Sequence, residues 1–180
     1  MNEGLIARRY AKALFKYAGE KEDQLLLYQR MKLFQENCVK HPELQKVLRN
    51  PMLTQEVKER VLSTALDFTS PQTERYRRAI HLLIRNHRER YIKSIAWVYQ
   101  KIFREAYHIE QVKVTTAVPL TKEMEREIQA MAKKHTTKSL EYTYHVDPSI
   151  IGGFILEIGS EQLDTSVIRE LKKIHTDFLS

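Results

Sequence analysis

Seven histidines, one cysteine and one glycine pair are the positions most able to support chemistry in this 180-residue chain. The histidines are His41, His81, His87, His108, His135, His145 and His175. No two stand at the i, i+4 spacing that puts a pair of metal ligands on one helix face, so they read as surface or capping side chains. Cys38 alone cannot form an internal disulfide, and a four-ligand zinc site would need other residues. It reads as a reduced thiol buried in a helix. Gly152-Gly153 lacks the GxGxxG or GxxxxGK[ST] context of a phosphate loop. It follows Asp147-Pro148-Ser149, which is turn chemistry, and so reads as a place where a neighbouring backbone or bulky side chain approaches the next strand. No GxSxG elbow is present, and no base sits beside the cysteine. The expectation is a protein without an active site, metal or cofactor.

The elements that carry these residues change character along the chain. In the front half apolar residues recur at three- and four-residue steps, which predicts helices over 4–19, 22–38, 42–50, 54–67, 71–86 and 88–108. Pro42 and Pro71 stand at first helical turns, where a missing N–H costs nothing. Thr54 is placed to cap the fourth helix, and Asn50-Pro51 ends the third because the residue before proline is pushed out of the helical region. Short helices with short connections make a compact bundle whose stability comes from packing rather than from propensity.

After His108 the period becomes two. Val112, Val114, Thr116 and Val118 predict a half-buried strand, and Thr121 caps a helix reaching about His135. Leu140, Tyr142, Tyr144 and Val146 predict a second strand, Ile150 to Ile158 a third, and a last helix follows Asp164 with Val167, Leu171, Ile174 and Phe178 on one face. The fold class is therefore mainly α: a six-helix bundle over 1–108, then a small α+β domain over 109–180 in the order strand-helix-strand-strand-helix. A core of that second size is small, and it is expected to gain order from a partner.

Charge is uneven. Residues 1–108 carry 21 Lys and Arg against 12 Asp and Glu, while residues 109–180 carry 9 against 11. The excess is densest at Arg75, Arg77, Arg78, Arg85, Arg88 and Arg90, which favours an acidic partner of any class. No stretch approaches the ~20 apolar residues that span a bilayer. The N-terminal pattern reads as mature protein in a cytoplasm rather than as a signal segment.

The first helix has one further property. On a helical wheel Ile6, Tyr10, Ala13, Leu14 and Tyr17 form a stripe that Ala7, Ala11, Ala18 and Phe15 extend, with Arg8, Arg9, Lys12 and Lys16 opposite. The apolar arc is roughly 200°, against ~100° for a helix with one buried side. Tyr76, Ala79, Ile80, Leu82, Leu83 and Ile84 span a similar arc in the fifth helix, and Leu25-Leu26-Leu27 widens the second. A central position in the bundle and a partner-binding groove both account for such arcs.

Two blocks resemble a known family. Ile6-Ala7-Arg8-Arg9-Tyr10-Ala11-Lys12-Ala13-Leu14-Phe15 is similar to the opening of the delta subunits of F-type ATP synthases, whose mitochondrial equivalent is the oligomycin-sensitivity-conferring protein. The segment from Val114 to Thr121, with Val146-Asp147-Pro148-Ser149-Ile150-Ile151-Gly152-Gly153-Phe154 and Leu163-Asp164-Thr165-Ser166-Val167, resembles the family's C-terminal half. Leu82 to Arg88 resembles its fifth helix and the following turn. The resemblance implies a non-catalytic stator subunit, one copy per complex, linking the catalytic head to the peripheral stalk on the cytoplasmic face of a bacterial inner membrane. It implies contact with the membrane only through the complex, and no nucleic acid. Its partners would be the N-terminal helix of an alpha subunit, held in a groove between the first and fifth helices, and the b subunits, met by the C-terminal part. Groove candidates are then Tyr10, Ala11, Leu14, Ala18, Ile80, Leu83 and Ile84, and Asp replacing Leu14 or Leu83 would weaken head binding. Asp147, Pro148, Gly152, Gly153, Asp164 and Ser166 carry the structural motif. Thr165 stands where the family usually has glycine, which questions a left-handed backbone there. The alternative is a basic helical nucleic-acid-binding module using the arginines with Tyr76, Tyr91 and Trp97, and it predicts steeply salt-dependent affinity.

Overall fold

The structure, a computed structural model, describes residues 3–159, 161–169 and 171. It is mostly helical with a small four-stranded sheet toward the C-terminus, and the chain divides into compact units Met1–Ala106 and Tyr107–Ser180.

The first unit contains α1 (Glu3–Ala18), α2 (Lys21–Lys40), α3 (Glu43–Arg49), α4 (Gln55–Ala65), α5 (Glu74–Arg85) and α6 (Ile92–Ala106) among its described residues. Two of the expected helices begin differently from their periodicity. The fifth opens as a 3-10 turn, Pro71–Thr73, and the sixth as another, Glu89–Tyr91. Thr54 caps α4 as expected, its hydroxyl accepting from the Val57 N–H at 3.4 Å.

α6 is the central helix. Ile95, Ala96, Tyr99 and Phe103 are buried on it, and it packs chiefly against α1 and α2. Tyr28 stacks on Phe103 with ring centroids 4.5 Å apart, and the Tyr99 hydroxyl donates to the Gln24 carbonyl at 3.1 Å. α1 approaches with Ala7 and Ala11 fully buried, since only small side chains let two helix backbones come close. Gly19, at φ 74°, ends α1 in the left-handed conformation. Gln24 of α2 donates to the Phe15 and Gly19 carbonyls at 3.1 and 3.0 Å, satisfying groups that the end of α1 leaves open. Cys38 lies buried in α2, and desolvation there pushes its thiol pKa up.

A charged pair is buried in this unit. Lys58 of α4 donates to Glu89 Oε1 at 2.6 Å, with each side chain only 9% exposed. Glu89 Oε2 has no hydrogen-bond partner among the described residues.

In the second unit β1 (Ile109–Thr116) is central, parallel to β2 (Ser139–Val146) and antiparallel to β3 (Phe154–Ile158), and β4 (Glu161–Asp164) completes the order β2-β1-β3-β4. α7 (Lys122–His135) is the crossover between the two parallel strands, capped by Thr121, which accepts from Met124 N–H at 3.3 Å. Val112, Val114, Ile128, Ala132, Leu156 and Ile158 form the core.

Three expectations need correction here. The third strand starts at Phe154, because Pro148–Ile150 is a 3-10 turn. A fourth strand, short and mostly exposed, follows it, so the order after α7 is three strands rather than two. Val118, expected on the buried face, is 59% exposed because β1 ends at Thr116, and Tyr144 and Val146 are exposed at the outer end of the edge strand β2. The last helix begins by Val167, and Ile174 and Phe178 lie outside the described residues.

Candidate functional site

Between α1 and α5 runs a groove of about 330 Å³. Tyr10, Ala13, Leu14 and Tyr17 line it from α1, and Ala79, Ile80, Leu82 and Leu83 from α5, with Tyr76 and Phe68 beneath. The aromatics form its base: Tyr76 meets Phe68 with ring centroids 5.6 Å apart and Tyr17 edge-on at 6.3 Å. Leu27 and Met31 of α2, Leu66 and Ile92 complete the apolar lining, and among the described residues Arg78 is its one charged member. Tyr17 is 50% and Leu82 51% exposed, so the apolar surface opens to solvent.

Two hydrogen bonds cross between the helices that form the walls. Asn86 Nδ2, just past α5, donates to the Tyr10 hydroxyl at 3.2 Å. The Tyr17 hydroxyl donates to the Arg75 carbonyl at 3.5 Å. Since residue 10 meets 86 and residue 17 meets 75, the walls run antiparallel.

Of the groove candidates, the structure brings Tyr10, Leu14, Ile80 and Leu83 to the lining. Ala11, Ala18 and Ile84 do not line it: they are 0%, 3% and 1% exposed and belong to the core. A helix with a 200° apolar arc serves two surfaces, and on α1 Ala7, Ala11 and Ala18 went to the inner one while Ala13 faces the groove. Tyr17, Ala79 and Leu82 were legible in the same arcs as larger or more outward members. Leu27, Met31, Leu66 and Phe68 arrive from elements distant in sequence; the wide arc of the second helix includes Leu27, but no local pattern marks the other three as groove residues.

The second cluster of candidates is a turn. Asp147 Oδ1 accepts from the Ser149 N–H at 3.0 Å and sets up the 3-10 turn containing Pro148. The Ser149 hydroxyl and then its N–H hold the Asp147 carboxyl below the usual carboxylate range. A folded pKa lower than the unfolded ~3.9 stabilises the turn above that value, and the contribution is lost as pH falls through the folded pKa. Asp147→Asn is therefore expected to destabilise the second unit at neutral pH. The gap from wild type should close on acidification through that window; a gap independent of pH in urea titrations would exclude the carboxylate charge as its cause.

Beyond this turn the backbone is strained. Ile151 has φ 67° and ψ −43°, and the Gly152 N–H donates to the Ile150 carbonyl at 2.8 Å, forming the rarer, positive-φ kind of γ-turn. This conformation is unusual for a β-branched residue, and the Ile151 side chain is 61% exposed. With Val118, Met124 and Phe154 it borders an apolar hollow of about 190 Å³. Gly153, at φ 75°, passes so close to the next segment that a Cβ would sit 2.2 Å from the Thr165 carbonyl oxygen. Thr165 itself is not among the residues with positive φ. Its hydroxyl accepts from the Phe154 N–H at 3.4 Å and donates to the Phe154 carbonyl at 2.9 Å, which extends the β3–β4 pairing by a side chain. The Ser166 N–H donates to Asp164 Oδ1 at 2.9 Å at the start of the last helix.

No helix among the described residues is long and apolar enough to cross a membrane. Of the arginines behind the nucleic-acid alternative, Arg75 pairs with Asp23, and Arg77 with Glu74 at 3.0 Å.

Comparison with known proteins gives concordant matches. The family model for the ATP synthase delta (OSCP) subunit matches residues 6–178. The chain is 35% identical to an ATP synthase subunit delta of Bacteroides thetaiotaomicron, over 99% of this chain and 96% of that one. It is 33% identical to the subunit delta of Desulforamulus reducens over 100% and 98%, and 36% identical to that of Flavobacterium johnsoniae over 92% of each. Among solved structures it resembles a chain of the Toxoplasma gondii mitochondrial ATP synthase hexamer, with TM-score 0.65 and 21% identity over 97% of both, a likeness of fold. Nothing in these matches supports a nucleic-acid-binding module.

Proposed function

The chain belongs to the ATP synthase delta (OSCP) subunit family, a non-catalytic component of the peripheral stalk of F-type ATP synthases, and from that premise we propose how its two units divide the work. The first unit acts as a six-helix bundle that holds the catalytic head, its α1–α5 groove receiving the N-terminal helix of an alpha subunit. The second unit meets the b subunits of the peripheral stalk, with the hollow beside Ile151 as its contact. One copy in each complex, on the cytoplasmic face of a bacterial inner membrane, keeps the head from turning with the rotor. Contact with the membrane is through the complex.

The observation that carries the reading is the groove itself: an apolar channel between two antiparallel helices, with Tyr17 and Leu82 half exposed on its edges. An amphipathic helix laid along such a channel buries one apolar stripe. Resisting torque needs many packed contacts and no reactive group.

Leu82→Asp is the direct test, because Leu82 is 51% exposed and the fold tolerates a polar side chain there. Leu83 is only 3% exposed, so Asp at that position tests folding instead. We expect Leu82→Asp to weaken binding of an alpha-subunit N-terminal peptide by about tenfold, since a carboxylate would replace an apolar contact at the groove's edge and be desolvated by the docked helix. Unchanged affinity in isothermal titration would refute the groove as the head contact.

A further inference from the structure

The groove's floor is apolar, but its borders carry a pattern of charge. The basic face of α1 begins at the groove's edge: Ala13 lines the groove, and Arg9 and Lys16, the basic residues nearest to it around the helix, stand four positions before it and three after. Leu82 lines it from α5, and Arg78 and Arg85 stand four before and three after. Residues three and four apart on a helix are surface neighbours, so each wall carries two cations beside its lining residue. All four side chains are exposed, and none makes an ion pair or hydrogen bond among the described residues. Three carboxylates of this unit are engaged elsewhere: Asp23 with Arg75, Glu74 with Arg77, and Glu59 with His81 at 2.7 Å. Among the described residues no acidic side chain lines the groove. A single-sign border around an apolar strip carries self-repulsion in the free protein that an occupant of opposite sign relieves.

We infer that the groove selects an acidic amphipathic helix, with carboxylates bordering both sides of its apolar stripe in pairs seven residues apart. The spacing follows from the walls. Arg9 and Lys16, like Arg78 and Arg85, are seven residues apart, about 10 Å along a helix axis. A helix lying between two such walls presents stripe-border residues to both, and the same seven-residue step brings each carboxylate opposite a cation. Apolar contact supplies the bulk of the affinity, while the four charges set register, encounter rate and discrimination against helices with neutral or basic borders. This rests on the head-docking reading and adds to it the chemistry of the docked helix.

The test uses the full chain and the N-terminal peptide of the alpha subunit encoded with it, in its natural form and with its border carboxylates changed to amides. Two variants, Arg9→Glu/Lys16→Glu and Arg78→Glu/Arg85→Glu, reverse one wall each. Since exposed ion pairs typically change equilibria by about two- to fivefold, each double reversal is expected to weaken natural-peptide binding by about four- to twenty-five-fold at low salt. Wild-type affinity should fall as salt is raised, variant affinity should change little, and the amide peptide should not distinguish wild type from variants. Equal affinity and equal salt dependence of wild type and variants, with Leu82→Asp still impaired, would overturn the acidic-helix inference and leave head docking intact. Failure of the natural peptide to bind wild type at any salt would remove both. Loss of binding to anionic phosphatidylglycerol vesicles in the variants, with peptide affinity unchanged, would assign the cations to lipid headgroups and overturn it too.

Discussion

Replacing Lys58 by methionine is expected to destabilise the helical unit by about 3–5 kcal/mol, the usual cost of stripping one partner from a buried ion pair. The carboxylate of Glu89 would remain where its side chain is 9% exposed, with its Oε1 bond to Lys58 gone and Oε2 already unpartnered among the described residues. With each side chain only 9% exposed, solvent is a poor substitute for the ammonium at 2.6 Å. The pair itself contributes little net stability, because two charges were desolvated to make it. Lys58→Met/Glu89→Leu should therefore recover most of what Lys58→Met loses. Urea unfolding of wild type, both single variants and the double variant gives the coupling directly. A loss below about 1 kcal/mol for Lys58→Met would place it with ordinary surface substitutions and sink the assignment. The pair ties α4 to the 3-10 turn that opens α6, so the effect should include weaker amide protection at the start of α6.

The second large effect is expected in the other unit. Gly153→Ala should cost about 2–4 kcal/mol, combining a positive-φ position with a contact that has no room. At φ 75° the new methyl would lie 2.2 Å from the Thr165 carbonyl oxygen, a backbone atom that cannot turn aside. Its neighbour supplies the control. A Cβ at Gly152 would meet Val167 Cγ2 at 3.0 Å, a side-chain atom able to shift, so Gly152→Ala should cost less. The thermal transition of the second unit measures both. Similar small shifts for the two variants would show that the segment around Thr165 yields, and that the close approach does not hold the fold together.

Much of the fold was legible because its signals were local. The six helical segments show three- and four-residue periodicity, Thr54 and Thr121 cap where they stand, and the change of period after His108 marks the first strand. The 3-10 turns at Pro71–Thr73 and Glu89–Tyr91 were not legible, since a 3-10 turn leading into a helix keeps nearly the same apolar spacing. Glu161–Asp164 was missed because a short, exposed edge strand has neither alternation nor length. The groove was half legible. The wide arcs of α1 and α5 located its walls, but periodicity alone cannot say which edge of an arc faces inward. Residue size carries part of that information, for Ala13 lines the groove and Ile84 lies in the core. Ala7, Ala11 and Ala18 follow the inner line where helices nearly touch, while Tyr10 and Tyr17, seven apart, stand over the outer one. The base of the groove depends on residues from α2 and the α4–α5 connection, which meet only in three dimensions.

The Tyr10–Asn86 and Tyr17–Arg75 hydrogen bonds have a kinetic consequence. They tie the two walls together near both ends before anything arrives, so in the proposed docking more of the ordering falls on the incoming segment than on the groove. If a helix is what docks there, association should quicken as the segment's helical population rises. A version of it covalently stapled as a helix should bind faster and leave at the same rate. In Asn86→Ala that advantage should shrink, because the host would share the ordering.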